Sequence, residues 1–213
     1  EPVGLTAIKA LLRARQTAVA GVTTVRDLGG RDYVEIAARR AIQEGLIAGP
    51  RIIAAGRPVC MTGGHGHWLA READGPDDAR KAVREQLKAG ADVIKIIATG
   101  GVMTPGVEPG SPQLTLEEMR AAIEEARKAG RRTAAHAMAA SGMSDAIAAG
   151  ITSIEHGIYL TEEIVAHMRR DGTFLVPTLN APAAIAAGGL GAGIPEFMVR
   201  KSEVVMPPHV ASF

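Results

Sequence analysis

Three side chains able to ligate metals or act as nucleophiles occupy equivalent places in the sequence. Lys95, His136 and His156 each come five or six residues after a glycine, within or at the end of a short apolar run. Glycine just beyond a helix is its usual left-handed cap, so each run is predicted to be a strand that follows a helix. Alternating helices and strands form parallel sheets, whose carboxyl ends carry functional groups. The sequence therefore predicts a metal site at one edge of a parallel sheet.

Lys95 lies between Ile94 and Ile96 in the continuous apolar run VIKII, where a charged ammonium group is costly unless it is paired. Three interpretations are open: a buried ion pair with Asp27 or Glu155, a Schiff-base nucleophile, or a lysine that captures carbon dioxide as a carbamate and bridges two metal ions. The last two both require a neutral amine. The neighbouring histidines favour the carbamate.

His136 and His156 stand at the same distance from the glycines that precede them, Gly130 and Gly150. Equal spacing predicts that the two imidazoles reach the same height on adjacent strands and lie close together. Imidazole combined with a carboxylate-type oxygen suits Zn²⁺, and Mn²⁺, Co²⁺ or Fe²⁺ are alternatives. Glu155 is expected to point to the opposite side of its strand from His156, as a structural partner rather than a ligand.

Two further histidines and a tyrosine are candidates for contact with a substrate. His65 and His67 form an H-x-H pair in a glycine-rich loop, and their position after a predicted strand favours substrate contact over metal ligation. Tyr159 follows His156 by three residues, and its phenol is placed to polarise a carbonyl group at the mouth of the same strand. His209, in a proline-rich tail, is expected to be incidental.

The apolar periodicity predicts six short strands that alternate with helices. The strands are expected at 22–26, 51–56, 92–98, 133–136, 152–156 and 173–177, and the helices at 5–20, 33–44, 77–89, 115–128, 141–149, 161–170 and 196–205. Long loops follow the strands and short glycine links precede them, which is typical of a barrel with its function on one face. The predicted fold class is α/β, a partial (β/α)8 barrel with about six of its eight units, since a full barrel needs about 250 residues.

The composition limits the possible partners. The 213 residues are 46% apolar but only 3% aromatic, so small and branched side chains must build the core. The net charge is +1 with charges interspersed, which argues against nucleic acid, and no apolar run reaches the ~18 residues of a membrane span. No signal-peptide pattern is present, so a soluble protein, cytoplasmic rather than secreted, is expected. The single Cys60 is expected to be buried.

Five segments together resemble the metal-dependent amidohydrolase superfamily, in its branch of Xaa-Pro dipeptidase (prolidase)-like and imidazolonepropionase-like enzymes. Each segment alone is modestly specific, whereas their order along residues 5–180 is strongly specific. The segments are GVTTVRDLGG from Gly21, TGGHGHW from Thr62, DVIKIIATGGVMTP from Asp92, TAAHA from Thr133 and TSIEHG from Thr152.

The resemblance implies a TIM barrel in which Lys95 carries a carbamate from carbon dioxide and bridges two divalent metal ions, with zinc favoured. His136 and His156 would be ligands from the next two strands, while His65 would face the substrate and Tyr159 would help to polarise the scissile carbonyl. The implied reaction is hydrolysis of an amide bond in a dipeptide or N-acyl amino acid by a hydroxide that bridges the two metals. The carboxylate end of such a small substrate is the expected recognition handle.

Two features of this family have no counterpart in the sequence: an H-x-H ligand pair on the first strand, and an aspartate on the last strand that serves as ligand and general base. We therefore expect residues 1–213 to be the central fragment of the barrel domain, with the first and last strands and a flanking small β-domain outside it. One alternative is a truncated, inactive module that binds at most one metal ion through Lys95, His136 and His156. Another is a Schiff-base lyase that uses Lys95, and a homo-oligomer is compatible with each.

Overall fold

The computed structural model describes residues 1–213 as short strands that alternate with helices. The strands are β1 (Thr24–Asp27), β2 (Arg51–Ala54), β3 (Val59–Cys60), β4 (Arg71–Glu72), β5 (Val93–Ile97), β6 (Arg132–Ala137), β7 (Ser153–His156) and β8 (Phe174–Val176). The helices are α1 (Val3–Val19), α2 (Val34–Gln43), α3 (Pro76–Ala89), α4 (Leu116–Lys128), α5 (Ala140–Ala148), α6 (Glu162–Asp171), α7 (Asn180–Gly188) and α8 (Glu196–Ser212). Every strand and helix predicted from the sequence is present, and α8 extends beyond its predicted end.

Glycines terminate the helices just before five of the strands, as the sequence predicts. Their φ angles are all positive, from 67° to 97°, in the region where a β-carbon would be strained. These glycines are Gly21, Gly90, Gly130, Gly150 and Gly172. The tight reversals that they permit place each strand directly against the preceding helix.

All strand pairs are parallel, and they form two adjoining sheets. Strands β1 and β2 pair with each other, and the remaining six run in the order β4-β3-β5-β6-β7-β8. The backbone N–H of Asp92, just before β5, donates to the carbonyl of Ala54 at the end of β2 over 2.7 Å, which joins the two sheets. This arrangement of parallel strands and intervening helices is the predicted partial (β/α)8 barrel.

The loop predicted over residues 57–73 is interrupted by β3 and β4, so that part of the prediction is wrong. Val59 pairs with Arg71 on one side and with Ile96 of β5 on the other. Strands of two residues are too short for apolar periodicity to reveal. Cys60, the second residue of β3, is fully buried as predicted, and burial raises the pKa of its thiol to about 12.

The main core lies between the six-stranded sheet and helices α3 to α6. It is built from aliphatic and methionine side chains, as the aromatic-poor composition requires, and its largest fully buried members are Ile94, Ile96, Met119, Ile123, Met143 and Ile154. Ile94 and Ile96 belong to this core, so Lys95 between them points to the other face of β5. That face is the interior of the partial barrel.

Helix α8 packs across the carboxyl ends of three neighbouring strands. Its fully buried Val205 contacts Val102, Met138 and Ile158, which follow β5, β6 and β7 respectively. The helix therefore covers the edge of the sheet at which the predicted site residues lie. No helix in the chain combines the length and the apolar character needed to cross a membrane.

Candidate functional site

Three histidine rings lie in a row at the carboxyl ends of the strands. The ring centroid of His136, on β6, is 4.4 Å from that of His65 and 4.5 Å from that of His156. His65 and His136 are buried, and His156 is half-buried. The structure thus brings together three residues that the sequence assigns to one site.

His136 and His156 do not stand at the same height, so the predicted register is wrong by one residue. His136 pairs with Glu155, and His156 pairs with Ala137. Ser153, three residues after Gly150, pairs with Ala134, four residues after Gly130, so equal spacing from glycine does not give equal height. The rings nevertheless meet, because His156 has a left-handed φ of 79° that takes it out of the alternation of its strand.

Glu155 lies on the same side of the sheet as His136, and the expectation that it points away from His156 is also wrong. It is a structural partner, as predicted, because its carboxylate accepts from the Arg26 guanidinium over 2.8 and 3.0 Å. The hydroxyl of Ser153 donates to the same carboxylate over 2.7 Å. The ion-pair partner of Glu155 is therefore Arg26 and not the neighbouring Lys95.

Lys95 is buried, with 6% of its surface exposed, and its amine makes no hydrogen bond or ion pair. The structural ion pair with Asp27 or Glu155 that the sequence left open is therefore absent. Burial lowers the pKa of the Lys95 amine to about 7, a shift that Glu155 opposes and Arg26 reinforces. A large share of the amine is thus neutral near pH 7, the form that reacts as a nucleophile.

The three imidazoles are held in their neutral form. Burial is the largest cause: it lowers the pKa of His65 to about 4 and that of His156 to about 3. The pKa of His136 falls well below 6.5, through burial first and then through its two histidine neighbours. Neutral imidazole is the form that offers a lone pair to a metal ion.

Each ring has one nitrogen engaged in a hydrogen bond and the other nitrogen without one. The engaged atoms are His65 Nδ1 with Thr104 Oγ1 (2.9 Å), His156 Nδ1 with Thr178 Oγ1 (2.6 Å) and His136 Nε2 with the Gly100 carbonyl (3.2 Å). Because a carbonyl only accepts, His136 carries its proton on Nε2, and the lone pair is on Nδ1. Such partners fix the tautomer and orientation of a metal-binding histidine.

These side chains fit divalent metal ions as donors. Two neutral imidazoles stand beside an unpaired amine that becomes an anionic oxygen ligand if it takes up carbon dioxide. The His, Cys, Asp and Glu side chains alone form no group of three or more with the spacing needed to hold a metal ion.

Gly101 makes the contact between His65 and His136 possible, and the sequence analysis missed it. A β-carbon at this position would lie 2.5 Å from His65 Nε2 and 2.9 Å from His136 Cε1. The backbone N–H of His65 is further fixed by the side chain of Gln113 over 2.8 Å. The Gly100-Gly101 pair, which begins three residues after the VIKII strand, was the available signal, since glycine marks close approach of other groups.

The other two candidates lie apart from the row of rings. His67 is exposed and packs edge-on against Trp68, with ring centroids 5.5 Å apart. Tyr159 is half-buried beside the Val102, Met138 and Ile158 cluster, and its backbone N–H donates to the Met138 carbonyl over 2.8 Å. The roles assigned to both in substrate contact stay predictions.

His209 is predicted to be incidental, but the structure gives it a place in the site. It is buried, with 2% of its surface exposed, and Nε2–H donates to the backbone carbonyl of His156 over 3.1 Å. One turn later, the Ser212 hydroxyl donates to the Ile158 carbonyl over 2.5 Å. Helix α8 thereby holds the backbone just after β7. The spacing of three between His209 and Ser212 puts both on one helix face, which was the available signal.

Two cavities meet at Lys95. One of about 400 Å³ is lined by Lys95, His65, Asp27 and several apolar side chains, and the lining of the other, of about 430 Å³, includes Lys95, His136 and His156. The largest cavity, of about 770 Å³, opens at the other end of the strands among arginines such as Arg39 and contains none of the predicted site residues. The predicted residues Lys95, His65, His136 and His156 therefore line the two cavities at the carboxyl ends of the strands.

Comparison with known proteins gives a consistent set of relatives. A model of the amidohydrolase family matches residues 5–213. In sequence, the chain is 32% identical over 218 residues to the ochratoxinase of Aspergillus niger, an alignment that covers 91% of this chain and 45% of the relative.

The structure is similar to those of two peptide hydrolases. One is a Xaa-Pro dipeptidase with methionine bound in the active site, with a TM-score of 0.88, 37% identity, and coverage of 97% of this chain and 54% of that one. The other is a prolidase complexed with N-methylphosphonate-L-proline, with a TM-score of 0.94, 34% identity, and coverage of 100% and 56%. The chain thus spans about half the length of the proteins that it matches.

Proposed function

The chain belongs to the amidohydrolase family, and we propose that it forms the central part of the catalytic barrel of an enzyme that hydrolyses an amide bond in a dipeptide or N-acyl amino acid. The observation that carries the proposal is the contact of two neutral histidines, His136 and His156, at the cavity that a buried, unpaired Lys95 also lines. A dipeptidase and a prolidase among the similar structures support the substrate class.

Lys95, His136 and His156 are the proposed ligands of divalent metal ions, with Zn²⁺ favoured. The neutral amine of Lys95 adds to carbon dioxide, forming an N–C bond and releasing one proton, and the resulting carbamate offers anionic oxygens. Metal ions held there would supply Lewis acidity and lower the pKa of water toward neutrality. The absence of any ion pair at Lys95 supports this assignment, because a paired ammonium group would not react.

His65 and Tyr159 are the proposed substrate-facing residues. His65 has its Nδ1 fixed by Thr104 and its Nε2 free, so its neutral ring is oriented to hydrogen-bond a polar group of the substrate. The phenol of Tyr159, close to the end of β7, is the proposed donor to the scissile carbonyl oxygen. His67, with its ring on Trp68, is assigned to the outer part of the same region.

The proposed domain organisation follows from the length of the relatives. Residues 1–213 are assigned to the middle of the barrel, and the first-strand H-x-H pair, the last-strand aspartate and the small β-domain are assigned to sequence outside them. A Schiff-base lyase would also use a neutral Lys95, but it gives no role to the row of neutral imidazoles. An inactive module would bind at most one metal ion per chain and would not hydrolyse a substrate, whereas the proposed enzyme binds two metal ions.

The experiment that tests the proposal detects the carbamate directly. Protein incubated with ¹³C-bicarbonate and zinc is examined by ¹³C NMR, and its metal content is measured by elemental analysis, for wild type, Lys95→Ala and Lys88→Ala. Lys88 is an exposed lysine on α3 and serves as the matched control. We expect Lys95→Ala alone to lose both the carbamate signal and bound zinc. Retention of both by Lys95→Ala would overturn the assignment.

A further inference from the structure

The loop after β3 exposes a large apolar side chain close to the site. Trp68 is the only tryptophan of the chain, and it is 41% exposed. Met103, in the loop after β5, is 45% exposed. A single exposed apolar residue needs no explanation, but two from separate loops that meet at one cavity indicate a surface made for an apolar ligand.

Both side chains line the 400 Å³ cavity whose polar lining includes Lys95 and His65. The remaining apolar lining comes from Leu28, Pro58, Leu69 and Ile97. One wall of this cavity is thus apolar, and it lies beside the amine and the imidazole that the proposed function uses. Pockets of this kind, apolar with a few convergent polar groups, are typical of small-molecule sites.

The exposed indole of Trp68 is restrained by contact with the ring of His67. This ring meets that of Trp68 edge-on, at an interplanar angle of 80°. His67 lines neither of the two cavities that include Lys95. The geometry is that of an aromatic pair with a favourable edge-to-face contact, which restrains the indole.

We propose that Trp68 and Met103 form a specificity subsite for a large apolar side chain of the substrate, and that His67 is a positioning residue for Trp68. This inference rests on the proposed amide hydrolysis, and it narrows the substrate to dipeptides or N-acyl amino acids with an aliphatic, thioether or aromatic side chain. Binding covers the indole and the methionine, removing apolar surface from water on both partners.

The single tryptophan reports on the subsite without any catalytic turnover. Indole emission of the wild-type chain is titrated with four probes: N-acetyl-L-leucine, N-acetyl-L-methionine, N-acetylglycine and N-acetyl-L-aspartate. We expect the first two to shift the emission and to bind at least about tenfold more tightly than the last two, since hydrophobic pockets discriminate by about this factor. Equal affinity for all four, or binding without an emission change, overturns the inference.

Variants separate the subsite from general effects on the fold. Met103→Gln keeps the tryptophan and is expected to remove most of the preference for N-acetyl-L-leucine over N-acetylglycine. His67→Ala is expected to lower the anisotropy of the indole emission and to weaken the preference. Leu46→Gln, at a residue that is 75% exposed and remote from the cavity, is the matched control. An unchanged preference in Met103→Gln overturns the assignment of that residue.

Failure of the subsite proposal can be distinguished from failure of the proposed amide hydrolysis. A carbamate on Lys95 together with equal affinity for the four probes leaves the hydrolase proposal standing and removes the subsite. A preference for apolar probes without a carbamate leaves the subsite standing and removes the assigned chemistry.

Discussion

Thr178 and His156 are two left-handed residues joined by a hydrogen bond: their φ angles are 52° and 79°, and Thr178 Oγ1 lies 2.6 Å from His156 Nδ1. Positive φ in a residue other than glycine costs about 1–3 kcal/mol and persists only where the surroundings enforce it. His156 is the last residue of β7, and Thr178 lies two residues beyond the end of the neighbouring strand β8. The backbone strain is therefore concentrated at the two residues whose hydrogen bond orients the ring of His156.

Replacing Thr178 with valine tests the role of this bond. Valine keeps the shape and β-branching of threonine but cannot bond to Nδ1, so we expect zinc affinity to fall about 10- to 100-fold, as for other partners of metal-binding histidines. Thr178→Ser keeps the hydroxyl and is expected to retain most of the affinity. Isothermal titration with zinc measures both, and equal affinity in Thr178→Val would show that the bond does not orient the ring.

Gly101→Ala tests whether the close approach of the His65 and His136 rings matters for binding. Its φ is not positive, so alanine is tolerated by the backbone, while the new methyl group collides with His65 and His136. We expect weaker zinc and ligand binding, with a loss of about 1–3 kcal/mol in the free energy of unfolding from overpacking.

The matched control for this change is Gly191→Ala. A β-carbon there meets nothing within 4 Å, so binding is expected to be unaffected. If Gly101→Ala bound zinc as the wild type does, the close approach of the rings would be irrelevant to the site.

His209→Leu tests how α8 holds the backbone after β7. The substitution leaves the carbonyl of His156 buried without its donor, which is expected to lower the free energy of unfolding by about 1–3 kcal/mol. His209→Gln carries an amide N–H that can replace Nε2–H, and it is expected to recover part of the loss. Urea unfolding followed by circular dichroism compares the three proteins, and equal losses in both variants would argue against the hydrogen bond.

Glu35, which lies away from the site, is expected to make the stability of the fold depend on pH. Its two carboxylate oxygens are buried without hydrogen-bond partners, and burial, with the charge of Asp27, raises its pKa above the ordinary value of 4.5. A raised carboxyl pKa means that ionisation disfavours the folded state, so this contribution is most favourable below pH 4.5 and is lost as the pH rises through the folded-state pKa.

We therefore expect Glu35→Gln to raise the free energy of unfolding at pH 7 and to have a smaller effect at pH 4. Glu117→Gln, at an exposed glutamate on α4, is the control. Urea unfolding at the two pH values gives the comparison, and a stabilisation that is the same at both would contradict the assigned cause.

The sequence was sufficient for the parallel α/β architecture and for the meeting of Lys95, His136 and His156 at one edge of the sheet. Apolar runs flanked by helix-ending glycines locate the long strands, because burial and positive φ leave clear compositional marks. Lys95 is conspicuous because a cation between two isoleucines is costly to bury unless it is paired. The contact of His136 with His156 also follows, although for a reason other than equal height.

What the sequence did not reveal depends on backbone geometry and on tertiary contacts. The one-residue shift between β6 and β7 depends on how the two strands pair, which spacing from glycine does not encode. The left-handed conformations of His156 and Thr178 are uncommon outside glycine, above all for the β-branched Thr178. His209 acquires its partner only when α8 folds back over residues more than fifty positions earlier in the chain.

The buried thiol of Cys60 in β3 allows the rate at which the fold opens to be measured without any substitution. Only the thiolate reacts with alkylating reagents, and Cys60 is both fully buried and, with a pKa of about 12, protonated in the native state. Labelling must therefore proceed through a transient opening that exposes this thiol. Because this is the only cysteine, the labelling rate and its urea dependence distinguish local opening at the β3–β4 edge from global unfolding.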